Sequence, residues 1–241
     1  MLFSPADIVV VCSGIAACWY AMERPSQLPA GFLAGVDSPL WLGAAAAVAS
    51  SHILYAAVWY YPSAFSSACA HFPLNLLGGN AVTVFAALVA LAKGVQQLGL
   101  LAIVGHAVAP ASMADWPRAL LNTALSAGAT RWAVAGVLFV AGQALNLGIY
   151  RAIGKDGVYY GFKLGRPVPW STAFPFNLGF RHPQYVGGML CQLGVLLILA
   201  NASALAAGLP ALAAWWLALY ALTAWMEAAG DNEGGEKAKR L

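Results

Sequence analysis

Three residues late in the chain have types and positions that can do chemistry. Glu227 closes a long apolar run immediately after Trp225 and Met226. His182 and Tyr185 stand in the run Arg181-His182-Pro183-Gln184-Tyr185-Val186-Gly187-Gly188. An ionisable group at a membrane boundary is costly unless paired or wet, so function is the default reading for Glu227. A carboxylate there can hold a ligand's amine or offset a cationic centre. His182, or a carboxylate, can accept a proton from an amine. Each residue also has a plainer reading. His182 would cap a helix beginning at Pro183, Tyr185 would anchor at the membrane interface, and Glu227 would end its helix in solvent.

The stretch leading into this run, from Gly154 to His182, is long, basic, aromatic and glycine-rich. Gly157, Gly161 and Gly165 recur every fourth residue. On a helix they would form one smooth strip that a ligand or a neighbouring helix can approach closely. Tyr159, Tyr160, Trp170 and Tyr185 offer ring faces that can hold a cation. Arg166 and Arg181 suit a phosphate, and Lys163 with Arg166 can snorkel toward lipid. Taken alone, the stretch reads first as a surface loop held by interfacial Tyr and Trp. Lys93, Gln96 and Gln97 share a helical face inside an apolar run. They line either a wet cavity or a subunit contact, and the sequence leaves both open. His52, His71 and His106 lack metal-ligand spacing and no CxxC occurs, so no metal is expected. Cys12, Cys18, Cys69 and Cys191 read as free thiols in apolar surroundings.

The elements that must position these residues follow from composition. The chain has 241 residues, 61% hydrophobic and 9% charged, with mean hydropathy +0.72. A soluble domain carries about a quarter charged residues, so a bilayer protein is expected. The apolar residues come in long blocks without strand alternation, so helices must satisfy the backbone. Six runs approach the ~20 residues a span needs: Pro5 to Met22, Leu40 to Tyr61, Asn80 to Ala107, Thr130 to Ile153, Gln184 to Ala200 and Leu205 to Glu227. The fifth and sixth, joined at Asn201-Ala202-Ser203, are expected to form a short hairpin. The first lacks a basic leader and a cleavage site, so it reads as a retained helix. The expectation is an all-α polytopic membrane bundle of five to six spans, a single domain over 1–241. Arg151, Lys155, Lys163, Arg166, Arg181, Lys237, Lys239 and Arg240 gather on one side, against Arg24, Arg118 and Arg131 on the other. That places the 151–181 loop and the tail in the cytosol. No basic run interleaves with exposed aromatics, so nucleic acid is not an expected partner. No P-loop or GxGxxG is present, so any nucleotide-like cofactor must be bound by span ends and the loop.

Arg181-His182-Pro183-Gln184-Tyr185-Val186-Gly187 resembles the RHPxYxG signature of membrane methyltransferases, including isoprenylcysteine carboxyl methyltransferases. Phe174-Pro175-Phe176-Asn177 resembles the FPFN segment of phosphatidylethanolamine N-methyltransferases. Gly157-Val158-Tyr159-Tyr160-Gly161 followed by Pro169-Trp170 looks most like the plant and algal phospholipid methyltransferases. The resemblance runs from about Gly136 to Glu233. It implies S-adenosylmethionine as cofactor and a phospholipid in the bilayer as substrate: phosphatidyl-N-methylethanolamine and its dimethyl form, en route to phosphatidylcholine. It implies cofactor contacts at Gly136, Gly142, Gly157, Gly161, His182, Glu227 and Glu233. Two family features differ here. A Gly-x-Gly reads Gly136-Val137-Leu138, with Gly142 as a nearby substitute, and a Glu-Glu pair reads Glu227-Ala228. Catalytic roles are expected for His182, Tyr185 and Glu227, and substrate contacts for Tyr159, Tyr160, Trp170, Arg166 and Arg181. Lys237-Ala238-Lys239-Arg240-Leu241 fits a K-x-K-x-x retrieval pattern, which with the resemblance implies the endoplasmic reticulum membrane. The alternatives are a prenylcysteine carboxyl methyltransferase, a membrane sterol or acyl reductase, and an inactive scaffold. The enzyme reading requires the glycine-rich stretch and the RHPQY run to meet the end of the last helix in one pocket.

Overall fold

The computed structural model describes residues 3–22 and 35–238, with backbone only from residue 230. The side chains of Glu233 and Lys237, and residues Arg24, Lys239 and Arg240, lie outside the described residues. Among those described the chain is helical without strands. Its helices are α1 (Pro5–Ala21), α2 (Pro39–Tyr60), α3 (Pro62–Cys69), α4 (Ala81–Val108), α5 (Trp116–Leu125), α6 (Gly128–Val158), α7 (Pro183–Leu199), α8 (Ala202–Ala206) and α9 (Leu209–Ala238). By length and composition α2, α4, α6 and α9 can each cross a membrane, while α1 and α7 are shorter apolar helices. At 1.5 Å per residue the two short ones reach about 25 Å, against roughly 30 Å of hydrocarbon. This is a multi-pass helical bundle.

Local chemistry sets the helix starts. Ser4 and Asp7 form a reciprocal capping box on α1. The Ser38 and Asn80 side chains accept backbone N–H groups at the starts of α2 and α4. These satisfy donors that a helix start leaves orphaned. Tyr61-Pro62 stops α2 as expected, but Pro62 then opens α3 at once. The connection after α4 holds α5, whose Leu121 and Leu125 are exposed. Neither short helix is long enough to show in apolar runs. Asn201 caps α8 before the last span, and Gly208 turns with φ 90°. That delays α9 to Leu209, later than the expected Leu205.

Packing pairs the helices. α7 lies closest along α6, α2 along α4, and α9 joins the pairs by contacting both α2 and α7. The expected hairpin of the last two spans is thus linked through α8, with α6 as the main partner of α7. Val48, Leu100, Leu196, Leu212 and Trp216 form the shared apolar centre. Glycines let α6 and α7 approach. A Cβ at Gly142 would stand 2.5 Å from the Gly187 carbonyl oxygen, and one at Gly194 3.0 Å from that of Ala135. α4 and α6 make little contact with each other.

Candidate active site at one end of the bundle

α9 carries Glu227 to the bundle end where α6 finishes and α7 starts. Its Oε1 accepts hydrogen bonds from the hydroxyls of both Tyr160 and Tyr185. Its Oε2 lies 3.9 Å from Nδ1 of His182, and the His182 and Glu227 side chains are only 9% and 17% exposed. Two separate segments, the bend after α6 and the start of α7, therefore converge on a carboxylate carried by α9. Charge-assisted hydrogen bonds of this kind are about twice as strong as neutral ones.

The backbone explains how Tyr160 gets there. α6 kinks at Gly154 (φ 65°, ψ −179°) and ends at Val158. Tyr160 then takes the left-handed conformation, φ 53°, which is uncommon for a bulky residue and calls for outside support. Support comes from a box of rings, with the Tyr55, Trp59 and Phe85 centroids 5.4, 5.1 and 5.8 Å away, and from the bond to Glu227.

His182 occupies the N-cap position of α7, yet its side chain makes no cap hydrogen bond. Its ring stacks on Tyr185 at 5.9 Å and meets the edge of Phe3 at 5.6 Å. The simple capping reading therefore does not describe this side chain. The backbone here is held by a residue from the other end of the chain. Fully buried Asp7 accepts the N–H of Arg181 at 3.2 Å and that of His182 at 3.3 Å. It also accepts Ser4 N–H at 2.8 Å and Ser4 O–H at 2.7 Å. Sequence reasoning missed this clamp. Asp7 entered only as an argument against a leader peptide, and a contact across 174 positions leaves no local pattern.

A cavity of about 230 Å³ opens beside the cluster, lined by Glu227, His182, Arg181, Gly157, Phe162 and Trp170 among others. It places an acid and a guanidinium within one aromatic-walled space. A second cavity, about 290 Å³, lies deeper in the bundle and shares Ile149, Val158, Gln184 and Tyr185 with the first. Tyr185 is thus the common wall.

Other expected residues fall elsewhere. Tyr159 lines the deeper cavity, its hydroxyl taking a 2.7 Å hydrogen bond from Tyr150. Arg166 pairs with Asp156 at 3.7 Å and lines neither cavity. Lys163 sits over the Trp59 ring, 3.8 Å from its centroid. The glycine strip does not form. Gly157 is in the last turn of α6, Gly161 lies beyond the Tyr160 bend, and Gly165 has φ 73°. A break in helical register destroys a four-residue spacing. Gly157 lines the cavity, whereas Gly161 permits a tight turn, since a Cβ there would be 2.6 Å from the Asp156 carbonyl oxygen. Gly142 is buried against α7. Gly136 is exposed, far back along α6, with open space where a Cβ would stand. Neither lines a cavity, because helix packing and lipid exposure claim those faces. Among the described residues no group of three or more His, Cys, Asp or Glu side chains could hold a metal.

The fold and this cluster describe a membrane-embedded site with an acid, a histidine and tyrosines at a bundle end. Residues 130–228 match the family described as phospholipid methyltransferase. The matched stretch holds Tyr160, His182, Tyr185 and Glu227, whereas Asp7, Tyr55, Trp59 and Lys93 lie outside it. The chain is also 44% identical over 59 residues to a phosphatidyl-N-methylethanolamine N-methyltransferase of Arabidopsis thaliana, a match covering 24% of this chain and 35% of that protein. The chain thus matches about a third of the relative's length. No solved structure matches.

Proposed function

We propose that this protein is an enzyme that methylates the amine nitrogen of a phospholipid headgroup with S-adenosylmethionine as donor. Its substrates are phosphatidyl-N-methylethanolamine and the dimethyl form, leading to phosphatidylcholine. The observation that carries the reading is the convergence of Tyr160, Tyr185 and His182 on Glu227 beside a cavity, inside the family-matched residues.

The residues present fit the donor. Its amino-acid end bears an ammonium and a carboxylate, and Glu227 and Arg181 line the same cavity with opposite charges. The rings of Trp59, Phe162 and Trp170 suit a flat base and a cationic sulfur. When bound, the donor supplies an electrophilic methyl group. The chain's own residues do the rest. Glu227 and His182 accept the proton that the amine must lose before it can attack. Tyr160 and Tyr185 hold the carboxylate fixed, so little reorganisation is needed. Much of the rate then comes from alignment, which is worth about 7–11 kcal/mol when two reactants are well held. The basic 151–181 loop and the basic stretch after α9's last apolar turns support a cytosol-facing site.

Membranes containing the protein are incubated with methyl-labelled S-adenosylmethionine and, separately, phosphatidylethanolamine, its mono- and dimethyl forms, and a prenylcysteine. Label is expected in the phospholipids, with phosphatidylcholine as end product. Label confined to a prenylcysteine ester, or no label in any acceptor, overturns the reading.

A further inference from the structure

The deeper cavity contains a charge that the methyl-transfer cluster does not use. Lys93 lies well inside the apolar helix α4 and lines this space. Its ammonium donates to the Tyr220 hydroxyl at 3.0 Å and sits 5.0 Å from that ring's centroid. Among the described residues no Asp or Glu lines the cavity with it. A lysine inside a membrane span is expensive, and its default explanation is a ligand or ion path. Among the other polar lining groups, Ser51, Gln143, Asn146 and Tyr220 are neutral and can each donate. The site carries positive charge and hydrogen-bond donors, which is the chemistry of an anion pocket.

His52 supplies this cavity with an acceptor and no charge-bearing donor. It is 7% exposed and lines the cavity, and its Nε2 has no hydrogen-bond partner. Its Nδ1 lies 2.9 Å from Thr223 Oγ1, whose own proton goes to the Leu219 carbonyl at 2.8 Å. The Nδ1–H therefore donates to Thr223 and leaves Nε2 as a hydrogen-bond acceptor, which suits a bridging water and not the anion itself.

Access and direction are built in. α4 and α6 make little contact, and Ala90, Gln143 and Tyr150 are exposed at the gap between them. Tyr220 lies two turns below Glu227 on α9, about 10 Å along the axis. Tyr185 and Gln184 join the two cavities. A lipid entering sideways between α4 and α6 would set its phosphate deep and its amine toward Glu227.

Resting on the phospholipid reading above, we propose that the cavity of Lys93, Tyr220, Gln143 and Asn146 is the subsite for the headgroup phosphodiester. The other anion available to it is the donor's carboxylate, and the test separates the two.

Purified protein in detergent is titrated with a fluorescent alkylphosphocholine, a phosphodiester with no methyl acceptor left, and separately with S-adenosylmethionine. Lys93→Gln is expected to weaken the phosphocholine probe about tenfold, the loss of one charge-assisted contact. Lys93→Arg should recover most of it, and donor binding should stay unchanged. Unaltered probe binding by Lys93→Gln overturns the subsite, as does a loss confined to the donor. Retained donor binding shows that the variant is folded. Should Lys93→Gln fail to fold, Asn146→Ala decides, with a severalfold probe loss expected and none overturning the proposal. Loss of probe binding in a protein that methylates no phospholipid upholds the subsite and rejects only methyl transfer.

Discussion

Glu227 holds two tyrosine hydroxyls on one oxygen and faces a histidine with the other. Glu227→Gln keeps the shape and removes the charge. Its kcat/KM should fall by about 10²–10⁴, the range for a proton-accepting group, while the purified variant keeps its helical circular dichroism. Unchanged turnover would remove Glu227 from the reaction. Tyr185→Phe deletes one charge-assisted bond and should cost about tenfold in kcat/KM. Asp7 acts from further away as a positioning residue. Asp7→Ala leaves the part-buried N–H groups of Arg181 and His182 without their acceptor, each at about 1 kcal/mol. The thermal midpoint should drop, kcat should fall and the donor's KM should rise, since Arg181 and His182 line the donor's cavity, with partial rescue by Asp7→Asn. Equal loss in both variants with no change in midpoint would contradict the clamp. His182, Tyr185 and Glu227 were legible because motif and span end mark them in the sequence. Tyr160 was legible only as an aromatic ring, since its partner lies on another helix. Arg166 was read as a phosphate ligand because its pairing with Asp156 is made through space.

Helices α6 and α7 meet through glycine, and this packing sets where α7 presents His182 and Tyr185. A Cβ at Gly142 would also crowd Cys191 Sγ at 2.6 Å, whereas one at Gly136 would meet nothing. The two glycines therefore make opposite predictions. Gly142→Val should destabilise by about 1–3 kcal/mol through overpacking. Gly136→Ala should be neutral or stabilise by up to ~1 kcal/mol through helix propensity. Thermal unfolding in detergent checks both, and a harmless Gly142→Val would contradict the close approach. The spans themselves were legible to within a residue or two at most ends, because long apolar runs and Ser, Asn and Pro punctuation mark them. The short connectors α3, α5 and α8 were not, since a helix of two turns leaves too few residues for a pattern. Gly154 and Tyr160 also concealed where α6 stops, because a left-handed residue is set by its surroundings and not by its type. Arg131 entered the sequence reading only as a charge. In the fold its guanidinium donates to the carbonyls of Leu197 (2.6 Å) and Ala200 at the end of α7, where a cation complements the helix dipole.

Across the molecule these contacts sort the helix ends into two layers. Asp7 at the start of α1 touches Arg181 and His182 at the start of α7, and Lys155 reaches Thr83 at the start of α4 at 3.3 Å. Trp41 near the start of α2 donates to the Gly208 carbonyl before α9 at 3.1 Å, which fixes the opposite layer. The starts of α1, α4 and α7 therefore share one layer with the ends of α2, α6 and α9. Those of α2, α6 and α9 begin in the other. Such alternation matches a chain crossing six times, and it predicts that the site loop and the α4–α6 connection open on opposite sides of the bilayer. Single cysteines placed at Thr172 and Met113 in an otherwise cysteine-free protein test this, both positions being exposed. In sealed microsomes a membrane-impermeant maleimide should label Thr172→Cys directly, and Met113→Cys only after permeabilisation. Labelling of both from one side would break the crossing pattern. The reverse assignment would keep the bundle and invert it, against the lysine and arginine bias that predicts a cytosolic site.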